Sequence, residues 1–351
     1  VFFLLSQDLF IHEHNVSKEK EHWKEGNTLK KILVLHTGGT IAMEEDKETG
    51  SVKQKSNNPL LQIGTSLSNI AELIVEDVFH LPSPHMTPKE MITLQQLIDK
   101  KAAEEGIQGA VITHGTDTLE ETAYFLDLTV QSDIPVVVTG AMRSSNEIGS
   151  DGLHNFISSI RVAVSEEAKG KGVLVVLNDE IHCAKNVTKT HTSNVATFQS
   201  PQYGPIGIVT KRGVVFHQTL LNRDTYNIED TTKHVVLLKA YAGMDEGILN
   251  AVNGLPVDGL VIEALGQGNL PPRTVPAIKK FIDKGIPIVL VSRCFNGITE
   301  DVYEYEGGGK QLKDMGVIFS NGLSGQKARI KLLVALEVTN DQNKLHKMFM
   351  Y

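Results

Sequence analysis

Cysteine is almost absent from this chain: Cys183 and Cys294 are the only two in 351 residues, far apart and without metal-type spacing. Such usage provides no disulfide framework and suits a reducing cytoplasm. No apolar run approaches the length needed to cross a bilayer. Val1-Phe2-Phe3-Leu4-Leu5 is too short for a signal-peptide core, and no basic residue precedes it. Positive charge is not in excess either. The 34 Lys and Arg stand against 42 Asp and Glu, a formal net charge of −8 spread along the chain, which argues against a nucleic-acid polyanion as main partner. Several catalytic signatures are also missing. There is no Gly-x-Ser-x-Gly elbow, no His-Glu-x-x-His and no cysteine in a nucleophile context, so serine-hydrolase, zinc and thiol readings fall away.

What is present is a strand exit used twice. Lys31-Ile32-Leu33-Val34-Leu35-His36 is a buried-strand signal that runs into Thr37-Gly38-Gly39-Thr40-Ile41-Ala42. The glycine pair lets the backbone leave the strand through angles that other residues resist. Taken alone, a plain tight turn explains it. A phosphate cradle fits poorly, because neither Gly-x-Gly-x-x-Gly nor Gly-Lys-Ser/Thr follows. The second copy changes the balance. Gly109-Ala110-Val111-Ile112-Thr113-His114-Gly115-Thr116-Asp117-Thr118-Leu119 has the same order of apolar strand, histidine, glycine and threonine, then a helix. Asp117 or Thr118 is expected to cap that helix, with Glu120 and Glu121 in its first turn. A threonine hydroxyl needs a base and an oxyanion donor before it attacks anything. Asp117 lies beside one such hydroxyl, and Lys189, in Val187-Thr188-Lys189-Thr190, is available to pair with Asp117 or to accept a proton once desolvated. That is a kit for acyl transfer. His36 and His114 read as packing residues rather than general bases.

The length suits two domains, and 41% hydrophobic with 22% charged residues is ordinary for a soluble globular protein. Residues 1–28 form an extension rich in charge and histidine that holds the only tryptophan, Trp23. It reads as a disordered or loosely helical tail. Alternatively it is untranslated upstream sequence, since Lys24-Glu25-Gly26 can be encoded by AAGGAGG, a ribosome-binding sequence, and Leu29 by TTG, an alternative start codon. The intact mass of the native protein decides between the two. From residue 29 to 221, strands are expected at 31–35, 74–79, at Gly109–Ile112, and at 135–139, 173–177, 206–210 and 213–217. Helices are expected at 59–72, from Thr87-Pro88 to Glu105, after Thr118, and at 151–167. The polar segment Glu44 to Asn58 reads as a mobile lid or a solvated loop. Residues 222–233 are the expected linker. Beyond it, to residue 351, strands are expected at 234–239, 258–263, 286–291 and 316–319, alternating with helices at 245–252, 272–284 and 324–337.

These residues resemble the bacterial-type L-asparaginase family, closest in character to its cytoplasmic type. Both family signatures are present, Thr37 to Ala42 and Gly109 to Leu119. The likeness continues through Thr139-Gly140-Ala141-Met142-Arg143, Asp151-Gly152, Val187 to Thr190, Val195-Ala196-Thr197-Phe198, Tyr203-Gly204-Pro205 and Gln326-Lys327-Ala328-Arg329, covering residues 29 to 351. The resemblance implies an α/β fold with a larger N-terminal domain of mainly parallel sheet and a smaller flavodoxin-like C-terminal domain. It implies hydrolysis of L-asparagine to L-aspartate and ammonia, weaker action on L-glutamine, no cofactor and no metal. It also implies a cytoplasmic homo-oligomer, a dimer or a dimer of dimers, with no nucleic acid or membrane partner. Thr40 matches the family's nucleophile. Thr116, Asp117 and Lys189 match its charged relay, in which Asp117 holds the substrate α-ammonium. Ser83 aligns with the serine that binds the α-carboxylate. Glu304 and Asn269 align with groups that reach the neighbouring subunit's site. Two positions depart from the pattern. No tyrosine occurs between Thr40 and Tyr124 where the family carries one in the lid, which turns attention to Lys53 and Gln54, and Pro84 follows Ser83 where a polar residue is usual. Two rival readings are an amidotransferase subunit that supplies ammonia for tRNA-dependent glutamine formation, and a catalytically silent amino-acid sensor.

Overall fold

The computed structural model describes residues 29–46, 49, 52–54, 67 and 69–350. The extension 1–28, most of the helix expected at 59–72 and the side chains of Lys53 and Gln54 lie outside that description. The first half of the chain builds one eight-stranded sheet. Its strands and helices alternate as β1 (Lys31–His36), the short hairpin strands β2 (Met43–Glu45) and β3 (Val52–Gln54), β4 (Glu72–Asp77), α1 (Pro88–Glu104), β5 (Gly109–Thr113), α2 (Leu119–Thr129), β6 (Val136–Thr139), α3 (Gly152–Val164) and β7 (Val173–Leu177). Then follow β8 (Glu180–Cys183), the two-residue strands β9 (Thr188–Lys189) and β10 (Phe198–Gln199), β11 (Gly207–Thr210) and β12 (Gly213–Phe216). The sheet order is β12-β11-β8-β7-β6-β5-β1-β4, parallel from β4 to β7 and antiparallel beyond.

The continuous apolar runs of β1, β5, β6 and β7 follow from burial on both faces. Side chains alternate across the pleat. Ile32, Val34, Val111 and Val137 meet Phe156 and Ile160 of α3, while Leu33, Leu35, Ala110 and Ile112 meet Leu94 and Ile98 of α1 and Leu119 and Ala123 of α2. Chain order reverses at β1: β4 lies on one side of it and β5 on the other. That is a topological switch point, and ligands in open α/β sheets collect there, at the carboxyl ends of the strands. Both Gly-Thr exits stand at this point.

A second parallel sheet, in the order β13-β14-β15-β16, comes from β13 (Val235–Lys239), α4 (Glu246–Asn253), β14 (Gly259–Ala264), α5 (Val275–Asp283), β15 (Ile288–Ser292), α6 (Gly309–Asp314), β16 (Ile318–Phe319), α7 (Gly325–Val338) and α8 (Gln342–Phe349). Leu260 and Ile262 pack on one face under Leu249, Ile278 and Phe281. On the other face α7 is sandwiched between this sheet and α2, so that Ile330, Leu333 and Val334 share a core with Tyr124, Phe125 and Leu128. Arg223 and Tyr226, within the expected linker, are tied to α2. Arg223 Nε donates to Asp127 Oδ1 at 3.1 Å, and Tyr226 N donates to Leu128 O at 2.7 Å.

Candidate active site

The two strand exits meet through glycine. Gly38 and Gly39 take φ of 104° and 84°, a region in which side chains are strained. A Cβ on Gly39 would stand 2.4 Å from Gly115 Cα, and one on Gly38 would stand 2.6 Å from Leu81 O. The turn that carries Thr40 therefore packs backbone to backbone against the turn that carries Thr116. Thr37 locks the same joint, since its N and Oγ1 both donate to Thr113 O, at 3.1 and 2.9 Å. Thr40 itself opens a short 3-10 turn, Thr40–Ala42, and is half-buried. Its hydroxyl has no hydrogen-bond partner among the described residues.

Around Thr116 the contacts are dense. Lys189 Nζ donates to Thr116 Oγ1 at 2.9 Å and to Asp117 Oδ1 at 2.7 Å. Because the hydroxyl accepts from an ammonium group, its own hydrogen is free to point elsewhere. Ser83, buried in a 3-10 turn behind Pro82, lies under Gly115, and its Oγ accepts from Asp117 N at 3.2 Å. That too leaves a hydroxyl hydrogen free for an acceptor. The sequence led us to expect Asp117 or Thr118 as helix cap. Thr118 is the N-cap residue, yet it makes no capping bond: its hydroxyl donates to Ser83 O at 2.7 Å, and the Asp117 carboxylate is taken by Lys189. The helix start has given its cap to the site.

Burial holds His36 and His114 well below the ordinary imidazole range, each down to about 4. At neutral pH His114 Nδ1–H donates to Gly115 O at 2.8 Å while Nε2 accepts from Thr122 Oγ1 at 2.9 Å. Both nitrogens are engaged, so the ring supports the turn and has no lone pair left for catalysis. His36 Nδ1 is tied to Thr113 Oγ1 at 2.7 Å.

The segment read as a lid or loop begins as the β2–β3 hairpin. Its stem is anchored by the loop after β6. Ser145 N and Oγ donate to Met43 O at 3.1 and 2.9 Å, and Asn146 holds Glu45 N and O, both at 2.8 Å. Asp151 shapes that loop by accepting from Met142 N and Arg143 N at 3.0 to 3.1 Å. Sequence reasoning gave Asp151 no role, although Asp-Gly directly before an apolar helix was the available signal. Glu120 and Lys327 were missed as well. They meet as a buried pair at 3.6 Å beside Lys189. Lys189 and Lys327 also line a cavity of about 260 Å³ that reaches Glu263, Ser292 and Arg293 at the strand exits of the second sheet.

Asn269 and Glu304 stand apart from these groups within the chain. Asn269 Oδ1 accepts from Gly309 N at 3.1 Å, and Glu304 pairs with Lys310 on the exposed surface. No hydrogen bond or ion pair joins either to Thr40, Ser83, Thr116, Asp117 or Lys189 among the described residues.

Two α/β halves, with hydroxyls, a carboxylate and an amine gathered at the parallel strand exits of the first, carry the groups that acyl transfer needs. Family models for the asparaginase N-terminal domain and the glutaminase/asparaginase C-terminal domain match residues 31–222 and 234–349. The chain belongs to the asparaginase family. It is 38% identical to a probable L-asparaginase of Deinococcus radiodurans over 327 residues, covering 92% of this chain and 98% of that one. It is 36% identical to an L-asparaginase of Bacillus licheniformis over 307 residues, 88% of this chain and 95% of that one. Among solved structures it resembles a probable cytoplasmic L-asparaginase from Campylobacter jejuni, with a TM-score of 0.81 at 33% identity, covering 91% of this chain and 99% of that one. No helix among the described residues is long and apolar enough to cross a membrane.

Proposed function

We propose that this protein hydrolyses the side-chain amide of L-asparagine to L-aspartate and ammonia, with weaker action on L-glutamine. Thr40 Oγ1 attacks the carboxamide carbon, the tetrahedral adduct expels ammonia as its C–N bond breaks, and water then cleaves the acyl-enzyme ester that remains to give aspartate and free Thr40. Thr116 orients water and, through its N–H, stabilises the oxyanion, while Lys189 sets its hydroxyl and helps to move the proton. Asp117 receives the substrate α-ammonium, and Ser83 donates its hydroxyl hydrogen to the α-carboxylate. The observation that carries this reading is the Lys189 head group bonded at once to Thr116 and Asp117, in a turn packed on the Thr40 turn.

The protein is read as a cytoplasmic homo-oligomer in which Glu304 and Asn269 complete the site of a neighbouring subunit. Support comes from exposed apolar groups near Glu304, namely Phe295, Ile298, Val302, Tyr303 and Tyr305, a concentration typical of an interface. Cys183 and Cys294 are both free, as a reducing compartment allows.

A coupled ammonia assay on asparagine and glutamine tests the reaction. Thr40→Ala and Thr116→Ala are each expected to lower kcat by more than about a hundredfold, without loss of folded protein by circular dichroism. Near-normal turnover by either variant rejects its assigned role.

A further inference from the structure

Among the described residues Lys327 is the most buried Lys, Arg, Asp or Glu, 1% exposed, and it comes from the first turn of α7 in the second half. A lone ammonium in such a place is costly, so its partners define its purpose. They are Glu120 Oε2 at 3.6 Å, Lys185 O at 3.3 Å and the carbonyl of Val187. Burial lowers the Lys327 pKa, and the Glu120 carboxylate opposes that shift. Every one of these partners belongs to the first half of the chain, and all adjoin the segment that delivers Lys189.

Glu120 is the other half of the device. It is 5% exposed in the first turn of α2, where the helix dipole favours an anion. Its Oε1 accepts from Thr188 Oγ1 at 3.0 Å and from Lys189 N at 3.1 Å. Four residues earlier on the same segment, Thr116 accepts from Lys189 Nζ. One short stretch thus grips Lys189 at both ends, backbone through Glu120 and ammonium through Thr116 and Asp117. Lys189 needs that grip, because β9 has only two residues and a two-rung ladder with β10. Lys327 donates to the carbonyl of Val187, two positions before Lys189, and faces the second oxygen of Glu120 as an ion pair at 3.6 Å rather than a hydrogen bond. It closes the clamp from the opposite side.

We propose that Glu120 and Lys327 form a positioning pair that holds Lys189 against Thr116, so that helix α7 of the second half sets the geometry of the site in the first. The proposal rests on the reading of Lys189 and Thr116 as parts of one amide-hydrolysing relay. Neither Glu120 nor Lys327 touches substrate in this arrangement. Their effect runs through Lys189 alone.

The test compares Glu120→Ala, Glu120→Gln and Lys327→Met in steady-state hydrolysis of asparagine across pH, with circular dichroism as the check on folding. Glu120→Ala and Lys327→Met are expected to lower kcat at least about tenfold while KM moves less than about threefold, since Ser83 and Asp117 still bind substrate. Glu120→Gln keeps a carbonyl oxygen for Thr188 and Lys189 N–H, and it is expected to recover most of the kcat lost in the alanine variant. A crystal structure of Glu120→Ala should show Lys189 Nζ beyond hydrogen-bond reach of Thr116 Oγ1. If the variants unfold at lower temperature but turn over normally when folded, the pair is structural only and the proposal fails. A retained Lys189–Thr116 contact in Glu120→Ala also overturns it. Wild-type protein that releases no ammonia refutes the reaction instead, and in that case the crystal structure still decides the positioning role. Should Lys327→Met not fold, the alanine and glutamine variants at position 120 carry the test.

Discussion

His36 and His114 are buried neutral at the ends of β1 and β5, and both depend on staying neutral. Their folded pKa values of about 4 lie below the ordinary 6.5, so between these limits the unfolded chain binds more protons than the folded one. Stability from this source is full above pH 6.5 and drains away as pH falls toward 4. Each imidazole contributes at most roughly 3 kcal/mol across that window. Urea unfolding at pH 7 and pH 5 is expected to show a lower midpoint at pH 5. His114→Asn should flatten the dependence, whereas a midpoint unchanged between the two pH values would show that neither ring matters. The same two residues illustrate what the sequence conveyed at this scale. A histidine at an apolar strand end, ahead of a Gly-Thr turn, reads as packing, and the contacts to Thr113, Gly115 and Thr122 agree with that. The residue type at a strand exit is visible in one dimension, but the partner of a buried charge is not. Glu120 and Lys327 are separated by more than two hundred positions, and nothing local marks either as half of a pair.

At the scale of elements, the Gly38–Gly39 turn is the joint of the first sheet. Any side chain at Gly39 meets both an unfavourable φ and the backbone of Gly115. Gly39→Ala is therefore expected to destabilise the protein by more than about 2 kcal/mol and to lower kcat, measured by urea melts and by ammonia release. An alanine tolerated there without either change would mean that the two exits do not pack together. The strands that bear these turns were legible because apolar runs of β-branched residues, buried on both faces, stand out between polar loops. α1 was legible from its Thr-Pro start, and the structure has the full capping box between Thr87 and Glu90. Other elements were too short to register. The two-residue strands β9 and β10 have no period to read. α8 buries only Leu345 and Phe349, although Asp341, which accepts from Asn343 N and Lys344 N, was a usable cap signal. The helix expected at 272–284 splits into a 3-10 turn, Pro272–Thr274, and α5. Pro276 has no N–H to return to Pro272 O, as an unbroken helix from 272 would require, and Val275 N–H takes that carbonyl in a 3-10 turn instead.

Across the whole molecule, the α2–α7 pairing makes the two sheets one body. It also places α7 where Lys327 can reach Glu120 and the Val187 carbonyl just before β9. If Glu304 serves the neighbouring subunit, sites are shared between chains, and subunit mixing reveals it. Thr40→Ala and Glu304→Ala homo-oligomers, each impaired alone, are expected to regain roughly a quarter of wild-type activity after being unfolded together and refolded. One intact site forms in each mixed pair. No recovery would confine the site to a single chain. The most direct measurement concerns the gap between the two threonines. In a crystal structure of the complex with L-aspartate, the side-chain carboxylate should lie within hydrogen-bond reach of both Thr40 Oγ1 and Thr116 Oγ1, with the α-ammonium on Asp117 and the α-carboxylate on Ser83. Aspartate bound against one threonine only, or in a different cavity, would contradict the account.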